Sequence, residues 1–444
     1  MKQNLQVHEN DVDRESAGAS TNLSVPNAAP EIAVTLLTGG IDRPYTFGLA
    51  MELTSKGIAM DVIGSDNLDF PEFHDNPKLK FLNLQGEQRP DVSLIRKVLR
   101  LSMYYAKLIR YATTAKPRIF HILWNNKFEA FDRTILTLFY RMLGKKIILT
   151  VHNVNAAKRD SKDTLLNRLT LRIQYRLADH IFVHGETMKV ELIEEFGVQP
   201  ARVTTIPFGI NNAVPKTSLS HSEAKQRLGI QRDKKTILFF GRITPYKGLE
   251  YLIDAFQQLV GRDDRYQLIV AGRPENDSQS YWTAIRERVE EDARRGRALL
   301  TADHIPDDET ELYFKAADVL VLPYKQIYQS GVLFLGYSFG LPILAADVGT
   351  LKEEIIEGKT GFVFRPEDPV DLAKTIERYF ASDLFANLDS RRQEISRYAK
   401  ERYSWDAVGQ LTIGVYANLL RLPSPKVLSN REVSKASLVM KDRS

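Results

Sequence analysis

The chain has 444 residues, of which 43% are hydrophobic and 26% are charged. One hydrophobic core rarely serves so many residues, so we expect a globular protein of two domains. The sequence contains no cysteine, which excludes disulfides and thiolate metal sites. The formal net charge is only +5 and no nucleic-acid recognition motif accompanies it, so nucleic acid is not an expected partner.

Polar segments lie at both ends of the sequence. Residues 1–29 are predicted to be a disordered tail and residues 423–444 a flexible tail, because neither holds enough apolar side chains to build a core. The first segment lacks the apolar centre of a signal peptide, and no apolar run approaches the length that crosses a bilayer. Together with the absence of cysteine, these features favour the cytoplasm, with peripheral attachment to the inner face of the membrane as a second expectation.

Between the tails, short apolar strands alternate with helical patterns. In the first half, strands are predicted at residues 31–38, 61–64, 119–123, 146–151, 180–183 and 203–206. After a polar, proline-containing linker at 213–222, the pattern restarts with strands at 236–240, 267–271, 319–322 and 342–345, and with helices at 248–260 and 331–339. This alternation predicts an α/β fold of two doubly wound, Rossmann-like domains in tandem.

The expected ligand site is a cleft between these domains, because doubly wound sheets bind ligands outside the carboxyl ends of their strands. Neither first strand is followed by the G-x-G-x-x-G pattern of a dinucleotide site. The sequence therefore argues against an ordinary dinucleotide-dependent oxidoreductase.

Two cations follow the first strand of the second domain. Arg242 and Lys247 stand on either side of a proline-containing turn, just before a helix whose N-terminus disfavours positive charge. Directed into the cleft, both can neutralise a diphosphate, Arg with a planar fork and Lys with a compact charge. The alternative is a pair of solvated cations beside the helix.

The segment 330–339 supplies the other half of an anion site. Ser330 suits the N-cap of an apolar helix, and the amides of Gly331 and Val332 would point at a phosphate, favoured by the helix dipole. A capped core helix that binds nothing fits the composition equally well.

The second half resembles the glycosyltransferase family 4 group. The resemblance is carried by the segments 239–256 (FFGRITPYKGLEYLIDAF), 317–324 (ADVLVLPY), 340–349 (GLPILAADVG), 353–362 (EEIIEGKTGF) and 402–406 (RYSWD). It implies the GT-B fold, in which two Rossmann-like domains face each other and the last helix crosses back to the first. It also implies transfer of a hexose-type sugar, with retention, from a nucleotide diphosphate sugar. The corresponding segments are 30–212 on the acceptor side, 223–398 on the nucleotide-sugar side, and 399–422 as crossover helix.

The chain departs from this family at one pair of positions. The family pattern has a glutamate, seven residues and a second glutamate, where this sequence has Ile327 and Leu335. Recognition of the sugar would then come from Gln329 or Tyr328. In retaining chemistry the leaving diphosphate itself can assist the acceptor hydroxyl, so the missing pair indicates a rebuilt site rather than a lost activity.

The first half offers fewer candidates. His152 follows a strand and matches a family histidine that reaches toward the donor sugar, which makes it the expected catalytic residue; the alternative is a structural histidine. The segment Gly39, Gly40, Asp42 and Arg43 resembles the glycine loop that lines the acceptor side, and its polar residues are otherwise turn residues. No D-x-D pattern follows a strand in the second domain, so we expect neither a metal nor another cofactor.

The region 92–118 contains seven Lys or Arg and no acid, with apolar residues at helical spacing. One interpretation is a helix packed on the core with a basic solvent face. The other is a helix that binds an anionic membrane surface and so brings a lipid-linked acceptor to the cleft.

Three functions remain open. The favoured one is a glycosyltransferase that acts on a glycan or lipid-linked acceptor in surface polysaccharide or glycolipid synthesis. The second is a sugar-nucleotide epimerase or a phosphorylase of similar fold. The third is a non-catalytic GT-B-fold binding protein that has lost the paired glutamates.

Overall fold

The computed structural model describes residues 32–40, 42–87, 93–159, 162–210 and 214–422. The two predicted tails lie outside these residues, as does the first residue of the predicted linker. None of the helices formed by the described residues combines the length and the hydropathy that a bilayer crossing requires.

The first half is built on a parallel sheet of seven strands with the order β3-β2-β1-β4-β5-β6-β7. In each neighbouring pair the strands run in one direction, as where Leu37 pairs with Ile63 on one side and Ile122 on the other. The strands are β1 (Ala33–Leu37), β2 (Ala59–Gly64), β3 (Leu79–Asn83), β4 (Ile119–Ile122), β5 (Lys146–Thr150), β6 (His180–Val183) and β7 (Val203–Thr205).

Helices cover both faces of this sheet because its central strands are buried and mostly apolar, with a few buried polar residues such as Thr35 and His121. They are α1 (Arg43–Ser55), α2 (Pro71–His74), α3 (Leu94–Thr114), α4 (Glu129–Phe131), α5 (Thr137–Met142), α6 (Ala156–Arg159), α7 (Leu165–Leu177) and α8 (Glu186–Phe196). A π-helical segment, Asp132–Leu136, joins α4 to α5. The buried side of α3, α5, α7 and α8 contributes to one core, and α1 and α2 contribute to the core on the opposite face.

The second half repeats the plan with six parallel strands in the order β10-β9-β8-β11-β12-β13. These strands are β8 (Lys235–Phe240), β9 (Tyr266–Ala271), β10 (Ala298–Thr301), β11 (Val319–Leu322), β12 (Ile343–Ala346) and β13 (Gly361–Phe364). The helices that follow the first half are α9 (His221–Arg227), α10 (Leu249–Val260), α11 (Gln279–Arg294), α12 (Asp307–Ala316), α13 (Gly331–Ser338), α14 (Pro369–Phe380), α15 (Asp383–Ala386), α16 (Leu388–Arg402) and α17 (Trp405–Leu420).

The last helix, α17, returns to the first half and packs against α1. The ring of Trp405 lies against Gly48, and Lys56 forms an ion pair with Asp406 at 2.5 Å. Where the chain crosses between the halves, the indole of Trp405 donates to the carbonyl oxygen of Ile210 at 2.9 Å. The predicted fold, two doubly wound halves with a helix that crosses back, is confirmed.

Each sheet reverses its strand order once, between β1 and β4 in the first and between β8 and β11 in the second. At such a switch point neighbouring connections leave toward opposite faces, which opens a crevice at the carboxyl ends of the strands. The residues after β1, β4, β8 and β11 are therefore the ones to inspect for a site.

Candidate functional site

The glycine turn lies at the switch point of the first sheet. Gly40 follows β1 with φ of +74°, and a side chain on it would come within 2.1 Å of Gln85 Oε1, so glycine is required there. A Cβ on Gly39 would lie 2.8 Å from the carbonyl oxygen of Asn125 and 2.8 Å from the Cβ of Trp124, two residues that follow β4. The turn thus brings the loops after β1 and β4 into direct contact.

Asp42 and Arg43, predicted together on the acceptor side, have different surroundings. The carboxylate of Asp42 accepts from the Tyr45 amide at 3.1 Å and caps α1. Burial raises the pKa of Asp42 to about 6, and the charge of Arg242, from the second half, opposes this rise. Arg43 instead places its guanidinium over the ring of Phe70, 4.4 Å from the centroid.

His152 follows β5 and is paired with a second histidine, His184, which follows β6. His184 Nδ1 lies 3.4 Å from the carbonyl oxygen of Ile206, which can only accept a hydrogen bond, so this nitrogen carries the proton. Its Nε2 then accepts from His152 Nδ1–H at 3.1 Å. The remaining nitrogen, His152 Nε2, is a bare acceptor with no hydrogen-bond partner among the described residues.

Both histidines are neutral at physiological pH. Burial lowers the pKa of His184 to about 4, and burial together with the neighbouring His184 keeps the pKa of His152 well below its usual range. The His152 ring stacks on Trp124, with centroids 4.5 Å apart, and meets the edge of Tyr45 at 4.7 Å. This packing fixes the ring, and with it the direction of its free lone pair.

Arg242 and Lys247 lie behind β8 but differ in exposure. The guanidinium of Arg242 is largely solvent-exposed and pairs with Glu275 at 2.7 Å. The side chain of Lys247 is buried, and within the described part of the chain no carboxylate forms an ion pair with it. Burial, and then the charge of Arg242, lowers the pKa of Lys247 to about 7. Lys247 is therefore a buried amine that is only partly protonated near neutral pH, and the charge of Glu275, which pairs with Arg242, favours its protonated form.

The amine of Lys247 lies beside the N-terminus of α13. A Cβ on Gly241 would lie 3.0 Å from Lys247 Nζ and 3.2 Å from the side chain of Val332, so all three groups surround one point. Gly331 is exposed, and the first amides of a helix have no partner inside it. The structure thus brings Lys247, Gly331 and Val332 together, with Arg242 close enough for its charge to lower the pKa of Lys247. Positive groups at a helix N-terminus have the chemistry that holds an anion.

Ser330 and Gln329 are more constrained than expected. Ser330 occupies the N-cap position, yet its side chain makes no capping hydrogen bond and lies 3.4 Å from the hydroxyl of Tyr324. The amide oxygen of Gln329 accepts from Thr350 at 2.9 Å, and its nitrogen donates to the carbonyl of His184 at 3.5 Å. Gln329 therefore ties the two halves together.

The two positions without the family glutamates lie in an apolar setting. Ile327 and Leu335 are both buried in the core of the second half. The neighbouring Tyr328 turns to the first half, where its hydroxyl donates to Glu191 at 2.7 Å. Neither position offers a carboxylate to a ligand, and the structure accommodates the change without a buried unpaired charge.

A carboxylate of the second half forms hydrogen bonds with the first half. Glu353, beside β12 in the fold, accepts from the amides of Glu186 and Thr187 at 3.3 Å each and so caps α8. We did not predict this contact, nor roles for Trp124 and His184. Trp124 and His184 each follow a predicted strand, and this position at the carboxyl edge of the sheet could have identified them as candidates. No local sequence pattern predicts the capping of α8 by Glu353.

The described residues include no group of three or more His, Asp or Glu side chains that could hold a metal ion. The positive charge at the second switch point comes from Lys247, Arg242 and the N-terminus of α13.

The fold and this site define a class, the GT-B proteins, in which a cleft separates two Rossmann-like halves. Residues 39–214 match the family described as Glycosyltransferase Family 4, and residues 234–382 match that described as Glycosyl transferases group 1. The chain belongs to this glycosyltransferase family, as its motifs predicted.

The similarity to individual curated proteins is moderate and covers only part of the chain. The D-inositol 3-phosphate glycosyltransferase of Acidothermus cellulolyticus is 26% identical over 250 residues, which are 55% of this chain and 54% of that protein. The chain thus spans about half the length of the curated relatives it matches.

Solved structures show the fold over a longer stretch. Sucrose-phosphate synthase from Thermosynechococcus elongatus aligns with a TM-score of 0.71 and 18% identity, over 88% of this chain and 99% of that one. HepE of Anabaena in complex with UDP aligns with a TM-score of 0.67 and 15% identity, over 88% and 100%. At these identities the likeness establishes the fold alone.

Proposed function

We propose that the protein is a retaining hexosyltransferase that moves a sugar from a nucleotide diphosphate sugar to a glycan or lipid-linked acceptor. Surface polysaccharide or glycolipid synthesis is the setting that such acceptors imply. The observation that carries the proposal is the buried Lys247, which forms no ion pair within the described residues and lies at the N-terminus of α13. A diphosphate would supply the missing charge.

In this proposal the two halves have different tasks. Lys247, Arg242 and the amides of Gly331 and Val332 hold the diphosphate, and they stabilise it as negative charge develops on departure of the sugar. The acceptor approaches from the glycine turn of the first half. The scheme requires no protein base at Ile327 or Leu335, because in retaining chemistry the departing diphosphate oxygen takes the proton of the acceptor hydroxyl. No metal ion enters this scheme.

His152 would contact the sugar. Its unpartnered Nε2 can accept a hydrogen bond from a sugar hydroxyl, and a buried acceptor without a partner costs on the order of 1–3 kcal/mol. A sugar that reached this atom would offset that cost. The structure of HepE in complex with UDP-glucose supports a nucleotide sugar as donor.

A non-catalytic binding protein is the second candidate, and the apolar burial of Ile327 and Leu335 favours it. Such a protein would keep the anion site and bind nucleotide sugars without turning them over. Turnover therefore separates the two functions, and binding alone does not.

The test is calorimetry with a panel of nucleotide diphosphate sugars. Arg242→Ala and Lys247→Ala should each weaken binding of the preferred sugar nucleotide by about 1.5–3 kcal/mol, roughly 10- to 150-fold, through loss of a charge-assisted contact. Arg262→Ala is the matched control, because this exposed arginine pairs with Glu377 on the surface of the second half. Unchanged affinity in both site variants would refute the assignment. Release of free nucleotide diphosphate on addition of acceptor extracts distinguishes a transferase from a binding protein.

A further inference from the structure

Three neighbouring helices of the first half expose large apolar side chains. Leu165 is 87% exposed, Ile95 80% and Met142 78%. We define the three-helix surface as the outer faces of three elements. These are α3, the α4–α5 segment (129–142) with the preceding Phe128, and α7. Its exposed apolar residues are Ile95, Val98, Leu99, Met103, Phe128, Ile135, Leu138, Met142, Leu165, Leu166 and Leu169. Soluble monomers rarely expose so many large apolar residues on adjacent elements without a partner.

The helix in the region 92–118 combines features of both interpretations. It packs on the core chiefly through its second half, where Tyr104, Tyr105 and Leu108 are buried. Ile95 and Val98, near its start, are exposed. The apolar face therefore divides into a buried part and a part that nothing in the described chain covers.

Side-chain contacts hold the three helices next to one another. The ring of Tyr105 on α3 stacks on Phe128 with centroids 6.0 Å apart. Arg133, in the π-helical segment, donates to Asn167 on α7 at 2.8 Å. The exposed apolar residues therefore belong to one continuous side of the molecule.

The charge of the three-helix surface is strongly positive. The segments 93–114, 127–142 and 162–177 contain twelve Lys or Arg and three Asp or Glu. The three acids are compensated: Asp132 is buried and accepts from the Tyr105 hydroxyl, Glu129 pairs with Arg133, and Asp163 pairs with Arg168. Three of the cations are paired as well, Arg133 and Arg168 with these acids and Arg141 with Asp179 at 3.6 Å, and the charges that remain in these segments are cations.

The surface begins at the edge of the sheet that carries the candidate site. In a parallel sheet the N-terminus of each following helix lies near the carboxyl ends of the strands. Asn167, in the first turn of α7, donates to Asn155 at 2.9 Å, and Asn155 lies in the loop that begins with His152. A flat partner on the three-helix surface would therefore lie alongside the glycine turn and His152.

We infer that the three-helix surface docks on an anionic lipid bilayer, with its leucines inserted and its cations at the headgroups. Apolar side chains ringed by cations are the pattern that inserts at such an interface, where both features contribute to binding. A second copy of the chain fits less well, since a two-fold contact would bring two cationic surfaces together. The acceptor is then a lipid held in the same bilayer; this last statement rests on the proposed function.

Vesicle flotation with the full chain tests the docking. Vesicles of phosphatidylcholine with about 30% phosphatidylglycerol should bind the protein at low salt, at least tenfold more tightly than pure phosphatidylcholine. The triple substitution Leu165→Gln, Leu166→Gln and Leu169→Gln should lower the partition coefficient at least tenfold. These leucines are exposed, so the melting temperature should not change. Val370→Gln is the matched control, because Val370 is similarly exposed but lies on α14 of the second half.

Several results would overturn the inference. It is wrong if the wild-type protein stays in the unbound fraction at low salt, or if the triple variant binds vesicles as tightly as the wild type does. Alternatively, sedimentation would show a wild-type dimer that the leucine substitutions dissociate, which would assign the surface to a second copy. Calorimetry with nucleotide sugars on the same samples distinguishes failure of membrane docking from failure of the proposed function, because donor binding requires no membrane.

Discussion

Lys247 connects protonation to ligand binding. Its pKa of about 7 in the free protein means that the ammonium and the amine are both populated near neutral pH. A bound diphosphate favours the ammonium, so the complex takes up a proton when it forms above pH 7. A buried amine with a pKa in this range would make the binding of an anion depend on pH.

A pH titration of affinity checks this. Affinity for a nucleotide sugar, whose diphosphate does not titrate near neutrality, should fall as pH rises from about 7 to about 9, by up to roughly tenfold per unit. Lys247→Met should bind weakly and lose this pH dependence. Because the folded state disfavours the charged lysine, the free energy of unfolding of the wild type should rise over the same range relative to that of the variant. A wild-type affinity that is flat with pH would contradict the role of Lys247.

For His152 we predict an effect on turnover rather than on nucleotide affinity. His152→Ala should lower turnover by about 10²-fold or more, because the sugar loses its positioning contact, while nucleoside diphosphate affinity changes less than threefold. The two quantities separate because the diphosphate is held by the other half. His180→Ala is the control, since this half-buried histidine lies at the start of β6 and bonds to Thr204. Parallel loss of turnover and affinity, or a lower melting temperature, would make His152 structural.

At the scale of elements, the contact between α1 and α17 holds the returning helix in place. A Cβ at position 48 would lie 2.1 Å from the ring of Trp405, and that ring is fixed by its hydrogen bond to Ile210. Any side chain at Gly48 must therefore displace the ring or separate the two helices.

Gly48→Ala should accordingly lower the free energy of unfolding by about 1–3 kcal/mol, although alanine ordinarily stabilises a helix. Gly261→Ala is the matched control, because Gly261 has a helical φ of −67° and its nearest neighbour to a Cβ is 3.5 Å away. Denaturant unfolding measures both. An equal or stabilising effect of the two substitutions would show that Trp405 moves aside at little cost.

The elements also show where the sequence was hard to interpret. The strands β3, β10 and β13 had not been predicted, and each lies at the edge of its sheet. In β3, polar residues such as Lys80 and Asn83 interrupt the apolar run. The strands β10 and β13 are apolar but only four residues long, so their sequences did not stand out as strands. The central strands were predicted to within one or two residues, because burial on both faces requires continuous apolar sequence.

For the molecule as a whole, positive charge from side chains and a helix terminus replaces a metal in the proposed mechanism. We therefore predict that a chelator leaves turnover unchanged within about twofold, and that added magnesium or manganese does not raise it. Transfer of labelled sugar, followed with and without chelator, measures this. The converse result, turnover abolished by chelator and restored by metal, would require a metal site that the cationic cleft does not provide.

Local sequence patterns were sufficient to predict the two parallel-sheet halves and the position of Arg242 and Lys247 between a strand and the following helix. These features follow from local periodicity and from the geometry of βαβ units, which neighbouring residues specify. The tertiary structure decided the pairing of His152 with His184, the capping of α8 by Glu353, and the exposure of the apolar residues on three helices. Each depends on residues about 30 to 170 positions apart, whose approach is set by packing of whole elements rather than by any local pattern.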